Sequence, residues 1–138
     1  MVVDDNRTIF RRIVDYIGIL MAENQYADDK AFCIEWAKYV SNDYKFKINY
    51  YKYWIKPYKI AFYDYMKWDG RNIIWNCHDV SPGYGKDLSS AWHDLAMNIM
   101  VFENTSSKEE TMVKVDLACR KEFGRGYGCQ DYMSYYKL

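Results

Sequence analysis

Two His-Asp pairs contain the only histidines of the chain and are its best candidates for binding a metal ion. His78-Asp79 follows a predicted strand, and His93-Asp94 lies within a predicted helix. A metal-dependent hydrolase needs such ligands to converge on one ion from several elements. The sequence contains no His-x-x-x-His, Cys-x-x-Cys or His-Glu-x-x-His spacing that would support such a site. We therefore predict no metal and no cofactor, with these four residues as weak candidates for a hydrolase.

Other catalytic motifs are incomplete in this sequence. Cys77 stands beside His78, but neighbours in a strand point to opposite faces, so the two do not form a nucleophile and its base. Gly85-Lys86 is followed by Asp87 instead of the serine or threonine that a phosphate-binding P-loop requires. No Gly-x-Ser-x-Gly segment occurs in the sequence either. These absences favour a protein that is not an enzyme.

Basic charge and aromatic rings occur together in residues 44–67. This segment has six lysines against the single acid Asp64, whereas the whole chain has no net charge. Lysines interleaved with rings are typical of proteins that bind single-stranded nucleic acid, where cations follow the phosphates and rings stack on bases. The absence of arginine from the segment argues against that function. Tyrosine, tryptophan and methionine are also common at protein interfaces, and lysines also protect exposed sheet edges from unwanted pairing.

The sequence therefore predicts a small non-catalytic binding protein, an inhibitor or adaptor of viral or mobile-element type, that contacts a protein partner through an aromatic and lysine-rich surface. A binder of single-stranded nucleic acid or nucleotide is the first alternative, and the metal-dependent hydrolase on His78 and His93 is the second. A homodimer is left open. The predicted partner-binding residues are Lys45, Lys47, Tyr51, Tyr53, Lys59, Tyr63, Tyr65, Lys67, Asn72 and Asn76.

Length and composition indicate one globular domain over residues 1–138. Half of the 138 residues are apolar and only two are proline, which is unlike a disordered chain. The N-terminus is acidic at Asp4-Asp5 and lacks the apolar region of a secretory signal, so we expect a cytoplasmic protein. The longest apolar run, residues 17–22, is far shorter than the roughly 20 residues that cross a bilayer, which predicts no membrane span.

Hydrophobic periodicity predicts an α+β fold, with a small antiparallel sheet of three strands and about four helices packed on one side. Residues 5–41 are predicted as a helical hairpin, in which the apolar stripe from Ile9 to Met21 packs against a second helix capped by Asp28. Residues 44–78 are predicted as a β-meander. Two further helices follow at 87–103, capped by Asp87, and at 107–123, and a tyrosine-rich tail covers 124–138.

Asp69-Gly70 is the strongest local signal, since this pair is favoured in two-residue hairpin turns. Such a turn pairs Trp68 with Arg71 and Met66 with Ile73. The resulting alternation predicts two faces for the hairpin. The core face would carry Phe62, Met66, Ile73, Trp75 and Cys77, and the opposite face Tyr63, Tyr65, Lys67, Asn72, Asn76 and His78.

Overall fold

The computed structural model describes residues 2–41, 44–68 and 72–123, and it confirms the α+β fold. Three strands form the predicted antiparallel sheet, and helices cover one of its sides. In chain order the elements are β1 (Val2–Asp5), α1 (Ile9–Met21), α2 (Glu23–Val40), β2 (Tyr44–Tyr50), β3 (Tyr58–Trp68), β4 (Asn72–Cys77), β5 (Gly83–Gly85), α3 (Leu88–Glu103) and α4 (Lys108–Phe123).

Two short strands extend the sheet beyond the predicted three. β1 lies parallel to β2 at one edge, and β5 pairs with the beginning of β3 on the side that β4 extends. Strands of four and three residues are too short to show a periodicity, so the sequence did not reveal them. Glycine at both ends of β5 lets its backbone approach α3 closely.

Alternation along β2 and β3 determines which face of the sheet joins the core. Phe46 and Ile48 are buried while Lys45 and Lys47 are half-buried, as the period of two predicts. β3 continues the same face with Ile60 and Phe62, which are also fully enclosed. Aromatic rings on this face contact one another: the centroids of Phe46 and Phe62 lie 5.4 Å apart.

The helices close the core in layers above the sheet. α3 packs against β5 and β3 through the predicted stripe that includes Trp92, Leu95 and Ile99. α2 packs on α3, and α4 packs on α2 through Val115 and Cys119. Among the described residues, no helix has the length and apolar content that crossing a bilayer requires.

Side-chain caps set the beginnings of three helices. Asp87 accepts a hydrogen bond from the backbone N–H of Ser90 at 2.7 Å, which confirms it as the N-cap of α3. The hydroxyl of Ser107 caps α4 by accepting from the backbone N–H of Glu110 at 3.0 Å, and the carboxylate of Glu110 accepts from the backbone N–H and the hydroxyl of Ser106. Thr8 caps α1 by accepting from the backbone N–H of Arg11 at 3.1 Å.

The predicted helical hairpin over residues 5–41 differs from the structure. α1 begins at Ile9 and not at Asp5, because residues 2–5 pair with β2. α2 begins at Glu23 and not after Asp28, so a single residue, Ala22, joins the two helices. α2 then packs mainly on α3 and has little contact with α1. The second helix, which the sequence predicts to cover the apolar stripe of α1, therefore packs on α3 instead.

The predicted register of the β3–β4 hairpin is wrong by one residue. Met66 lies opposite Ile74 instead of Ile73, and Trp68 lies opposite Asn72. Three residues, 69–71, separate the paired ends instead of two, and a one-residue shift moves a whole strand to the other face. Positions 73, 75 and 77 therefore share the face of Tyr63, and positions 72 and 76 share the face of Asp64. The predicted Asp69-Gly70 turn and the tail 124–138 lie outside the described residues.

Two glycines give opposite expectations for the same substitution. A Cβ at Gly83 would lie 2.2 Å from the carbonyl oxygen of Ala91, whereas a Cβ at Gly18 meets no atom within 4 Å. We expect Gly83→Ala to lower the free energy of unfolding by about 3 kcal/mol, because backbone atoms of α3 must move. Gly18→Ala, inside α1, should raise it by about 0.5–1 kcal/mol. Urea unfolding of both variants measures the two changes, and effects of equal sign would contradict the close packing of β5 on α3.

Candidate functional site

The lysine–tyrosine face is the side of the sheet opposite the core, formed by Lys45, Lys47, Asn49, Lys59, Ala61 and Tyr63. Register places Lys45 opposite Tyr63 and Lys47 opposite Ala61. The Nζ atom of Lys45 lies 5.7 Å from the centroid of the Tyr63 ring, a cation–π contact. The structure thus brings together four of the predicted partner-binding residues, and all four are half-buried.

Tyr51 and Tyr53 lie apart from that face, in the loop 51–57 between β2 and β3. The Tyr51 ring stacks on Trp54, with centroids 4.0 Å apart and an interplanar angle of 19°. Tyr53 is 90% exposed, and Ile55 two residues further on is 93% exposed. These side chains extend into solvent at one end of the sheet and form no single surface with the lysines of β2.

The other four predicted partner-binding residues divide between the two faces. Tyr65 lies opposite position 75 and Lys67 opposite position 73, which continues the row of Tyr63 along β3. Asn72 and Asn76 belong instead to the row of Asp64, because directly paired residues share a face. The predicted surface therefore loses its two asparagines to the one-residue shift of register.

His78 is part of the aromatic core and not of the outer face where the sequence predicted it. Its ring centroid lies 5.0 Å from Phe62, 5.4 Å from Trp36 and 5.0 Å from Phe102. Nδ1 accepts a hydrogen bond from the backbone N–H of Val80 at 3.0 Å, which requires this nitrogen to be unprotonated. Burial holds the pKa of His78 below its usual 6.5, against the opposing charges of Asp64, Asp79 and Glu103.

The second histidine belongs to a different cluster. Nδ1 of His93 lies 3.1 Å from the carboxylate of Asp29, which is almost fully buried, and Nζ of Lys108 lies 2.7 Å from the other oxygen. Asp94 accepts from the backbone N–H of Tyr84 at 2.9 Å, and Asp79 is exposed. The four predicted ligands thus do not converge: His78, His93 and Asp94 have separate partners, and Asp79 faces solvent. Within the described part of the chain, no three His, Cys, Asp or Glu side chains could hold one metal ion.

α1 turns its polar side toward the protein and its apolar side toward solvent. The side chains on its solvent side, which we call the apolar arc, are all exposed, with fractions from 39% for Val14 to 87% for Met21. The arc consists of Ile9, Phe10, Ile13, Val14, Tyr16, Ile17, Leu20 and Met21. At 100° per residue these eight positions cover an uninterrupted sector of about 160°. The sequence identified this stripe but placed it against the second helix.

A buried polar network holds α1 in that orientation. Asp15, buried at 8% exposure, accepts hydrogen bonds from Nη1 of Arg7 at 2.9 Å and from the hydroxyl of Tyr58. Arg7 is also hydrogen-bonded to Asp5, with Nε at 2.8 Å from Oδ1. These contacts join α1 to β1 and to the beginning of β3.

The pKa shifts of Asp5, Arg7 and Tyr58 favour the ionisation states that this network requires. Hydrogen bonding to Asp5 raises the pKa of Arg7 above its ordinary value. Burial raises the pKa of Asp5, but the hydrogen bonds and charge of Arg7 outweigh it and leave that pKa below normal. Burial and the hydrogen bond to Asp15 raise the pKa of the Tyr58 phenol, which stays protonated and can donate.

α1 also contacts the body through Arg11 and through Ile19, a partly buried side chain that packs against the core. The guanidinium of Arg11 lies 4.6 Å above the centroid of the Tyr50 ring. A cavity of about 220 Å³ separates part of the helix from the body and is lined by Asp15, Gly18, Tyr58 and Ser89 among others. α1 is thus attached mainly by charge and hydrogen bonds, with Ile19 as its apolar contact, and its apolar arc faces solvent.

Comparisons with protein-family models, with curated proteins and with solved structures give no match for this chain. The functional interpretation therefore rests on the geometry of its own residues. Of the surfaces described here, the apolar arc is the one that sequence reasoning missed. Periodicity shows which residues of a helix share a side, and here it identified the stripe correctly, but it does not show which side the rest of the chain covers.

Removing the carboxylate of Asp15 should destabilise the protein and release α1. Asp15→Ala leaves Arg7 and the buried Tyr58 hydroxyl without a shared acceptor, so we expect a loss of about 3 kcal/mol or more. Glu35→Ala is the control, since its ion pair with Lys38 is partly exposed, lies within one helix and should contribute less than about 0.5 kcal/mol. Urea unfolding gives both changes, and trypsin cleavage after Arg12 reports release of α1. Equal effects of the two variants would contradict the anchoring role of Asp15.

The low pKa of His78 predicts a specific loss of stability in mild acid. The unfolded chain binds a proton at this histidine near pH 6.5, whereas the folded chain binds it only at lower pH, so protonation favours unfolding. The free energy of unfolding should fall as the pH is lowered from about 7.5 to about 5, before Asp5, with its lowered pKa, begins to titrate. His78→Phe should have a weaker pH dependence in this window. Urea unfolding at several pH values in this window measures the effect. Equal slopes of the free energy of unfolding against pH for wild type and variant would contradict the prediction.

Proposed function

We propose that this protein is a non-catalytic binding protein that acts on a protein partner, with the apolar arc of α1 as its principal contact surface. The observation that carries the proposal is the orientation of α1, which presents eight large apolar side chains to solvent. As part of the same proposal, the protein acts in the cytoplasm as an inhibitor or adaptor, the kind of protein for which viruses and mobile elements use small single domains.

The size of the arc supports a binding function. At about 25 cal/mol per Å², the 1.5–3 kcal/mol gained by burying one such side chain corresponds to roughly 60–120 Å². Every member of the arc except Val14 is more than half exposed, so the arc presents on the order of 450 Å² of apolar surface. That is as large as the largest apolar patch on a typical monomer, and such patches are often functional.

The loop 51–57 begins and ends beside α1. Tyr50 and Pro57, which flank this loop, line the cavity beneath α1 together with Val14. The loop therefore leaves and re-enters the sheet beside the helix, and it carries the exposed side chains of Tyr53 and Ile55. A partner seated on the arc would lie next to the ends of this loop, which carries one of the tyrosines that the sequence predicted for binding.

The polar anchoring of α1 also supports binding over a purely structural role. A helix that only completes the core would turn its apolar stripe inward, because that orientation gains the most hydrophobic free energy. Here Asp15 accepts two hydrogen bonds at a buried site and keeps the stripe outside. Exposing the stripe costs solubility, and a partner that covers it removes that cost.

The lysine–tyrosine face supports a second candidate function, the binding of single-stranded nucleic acid. Lys45, Lys47 and Lys59 lie on adjacent strands, and Lys45 is already in contact with the ring of Tyr63. Such an arrangement offers cations and a ring to one strand of nucleic acid. We rank it below the protein partner because the three lysines are half-buried and the segment contains no arginine.

Site-specific photo-crosslinking in cells tests the choice between the two surfaces. A photoreactive amino acid at position 17, in the apolar arc, should yield a crosslinked protein of discrete mass. The same group at position 47, on the lysine–tyrosine face, is the matched control and should yield none. Adding Ile13→Glu to the position-17 protein should abolish the product, because a charge then enters the contact.

Two results would overturn the proposal. No crosslinked protein from position 17 or from position 20 would show that the arc has no protein partner. Crosslinks to nucleic acid from position 47, with none to protein from position 17, would favour the second candidate function.

A further inference from the structure

We infer that the partner seated on the apolar arc is the same arc of a second copy of this chain, with the two α1 helices antiparallel about a two-fold axis near Tyr16 and Ile17. This inference rests on the proposed function, since it names the occupant of the surface proposed there. Its observations are the charge distribution of α1, the spacing of the arc and its area.

The arc carries no charge, so two copies can face each other without repulsion. The charged side chains of α1 are Arg11, Arg12 and Asp15, and all three lie in the sector outside the arc. Arg11 and Asp15 are held against the body of their own chain. A two-fold axis brings the same surface onto itself, and an uncharged apolar surface satisfies that requirement directly.

The arc also has the spacing of a helix that packs against helices. Ile9, Ile13, Tyr16 and Leu20 recur at intervals of four, three and four residues, the pattern of a coiled-coil seam. Phe10, Val14, Ile17 and Met21 form a second seam with the same intervals, immediately beside the first. α1 has 13 residues and is therefore about 20 Å long, enough for each seam to contact a partner helix over about three turns.

In a single copy, the charged side chains of α1 do not complement its helix dipole. In an antiparallel pair, each helix provides charges that complement the dipole of the other. A helix N-terminus carries a partial positive charge, yet the first four residues of α1 include Arg11 and Arg12 and its first turn has no acid. The last turn carries a partial negative charge and has no basic residue. An antiparallel second copy places the exposed Arg12 beside that last turn, and the same contact is repeated by symmetry.

The area buried reaches what a specific dimer requires. Two arcs of on the order of 450 Å² remove about 900 Å² of apolar surface from water before the rim is counted. About 65% of the area of a homodimer interface is apolar, so the polar atoms of the rim bring the total above the roughly 1,000 Å² that distinguishes a specific interface from an adventitious one.

A membrane surface fits the arc less well than a second copy does. Interfacial helices keep a lysine- and arginine-rich polar side free to meet lipid headgroups. In α1 that side is turned into the protein, where Asp15 and Arg11 are engaged. Only Arg12 is an exposed cation on the helix itself.

Light scattering coupled to size-exclusion chromatography of the full chain tests the inference. Wild type should have twice the 16.6 kDa mass of one chain at micromolar concentration, and Ile17→Glu should have the mass of one chain. Ile17 is 56% exposed, so the substitution leaves the fold intact, which circular dichroism checks. Lys47→Gln changes the charge by the same amount on the lysine–tyrosine face and should stay dimeric. We expect Ile17→Glu to weaken the dimer at least 100-fold.

A charge-pair experiment tests the position of the axis. Ile17→Glu and Ile17→Lys should each be monomeric, and an equimolar mixture of the two should recover the mass of two chains. Recovery requires that residue 17 of one copy lies close to residue 17 of the other. A mixture that stays monomeric would overturn the antiparallel arrangement.

Three outcomes would overturn the second copy as occupant, and they differ in what they imply for the proposed function. A monomeric wild type whose position 17 crosslinks to a protein of another mass would leave the proposed function standing with a different partner. A monomeric wild type that binds vesicles of anionic phospholipid, and loses that binding in Ile17→Glu, would assign the arc to a membrane. A dimer that persists in Ile17→Glu would place the contact elsewhere on the chain.

Discussion

The carboxylate of Asp15 and the two donors that it accepts from determine how α1 sits on the protein. Arg7 reaches it from the segment after β1, and Tyr58 reaches it from the beginning of β3. A carboxylate buried to this degree is stable only with such partners, because its desolvation cost must be offset by hydrogen bonds and an opposite charge. Because the polar side of α1 faces the protein, the eight apolar residues of the arc must face solvent. The exposed apolar arc is thus a consequence of a buried carboxylate, although the chain has a large apolar core elsewhere.

The remainder of the fold provides a stable platform for this arrangement. Tyr58 is the first residue of β3. Ring contacts of Phe62 with Phe46 and Trp36 hold the rest of that strand in the core. Separate clusters satisfy two other polar groups of the interior: Asp29 binds His93 and Lys108, and His78 accepts from Val80. Of the two histidines that first suggested catalysis, His78 thus packs among aromatic rings and His93 contacts the carboxylate of Asp29.

The sequence predicts those parts of the fold in which local chemistry and tertiary structure agree. β2 alternates as predicted, and the cap at Asp87 lies at its predicted position, because each depends on neighbours within a few residues. The register of β3 on β4 depends on the length of one connection, and a difference of one residue changed the faces of Asn72 and Asn76. The orientation of α1 depends on Arg7 and Tyr58, which are distant from each other in sequence. No periodicity within α1 contains that information.

The short strand β1 has a role out of proportion to its four residues. It is an edge strand, joined to α1 through Asn6, Arg7 and Thr8, and Asp5 at its end supplies the second carboxylate for Arg7. Asn6 continues the attachment, since its side chain accepts from the backbone N–H of Tyr50 at 2.8 Å. Edge strands open more readily than central ones, and segments that share contacts open together as one cooperative unit. Local opening of β1 would therefore disturb the Arg7 contact that orients α1. The orientation of the apolar arc is thus coupled to the opening of an edge strand.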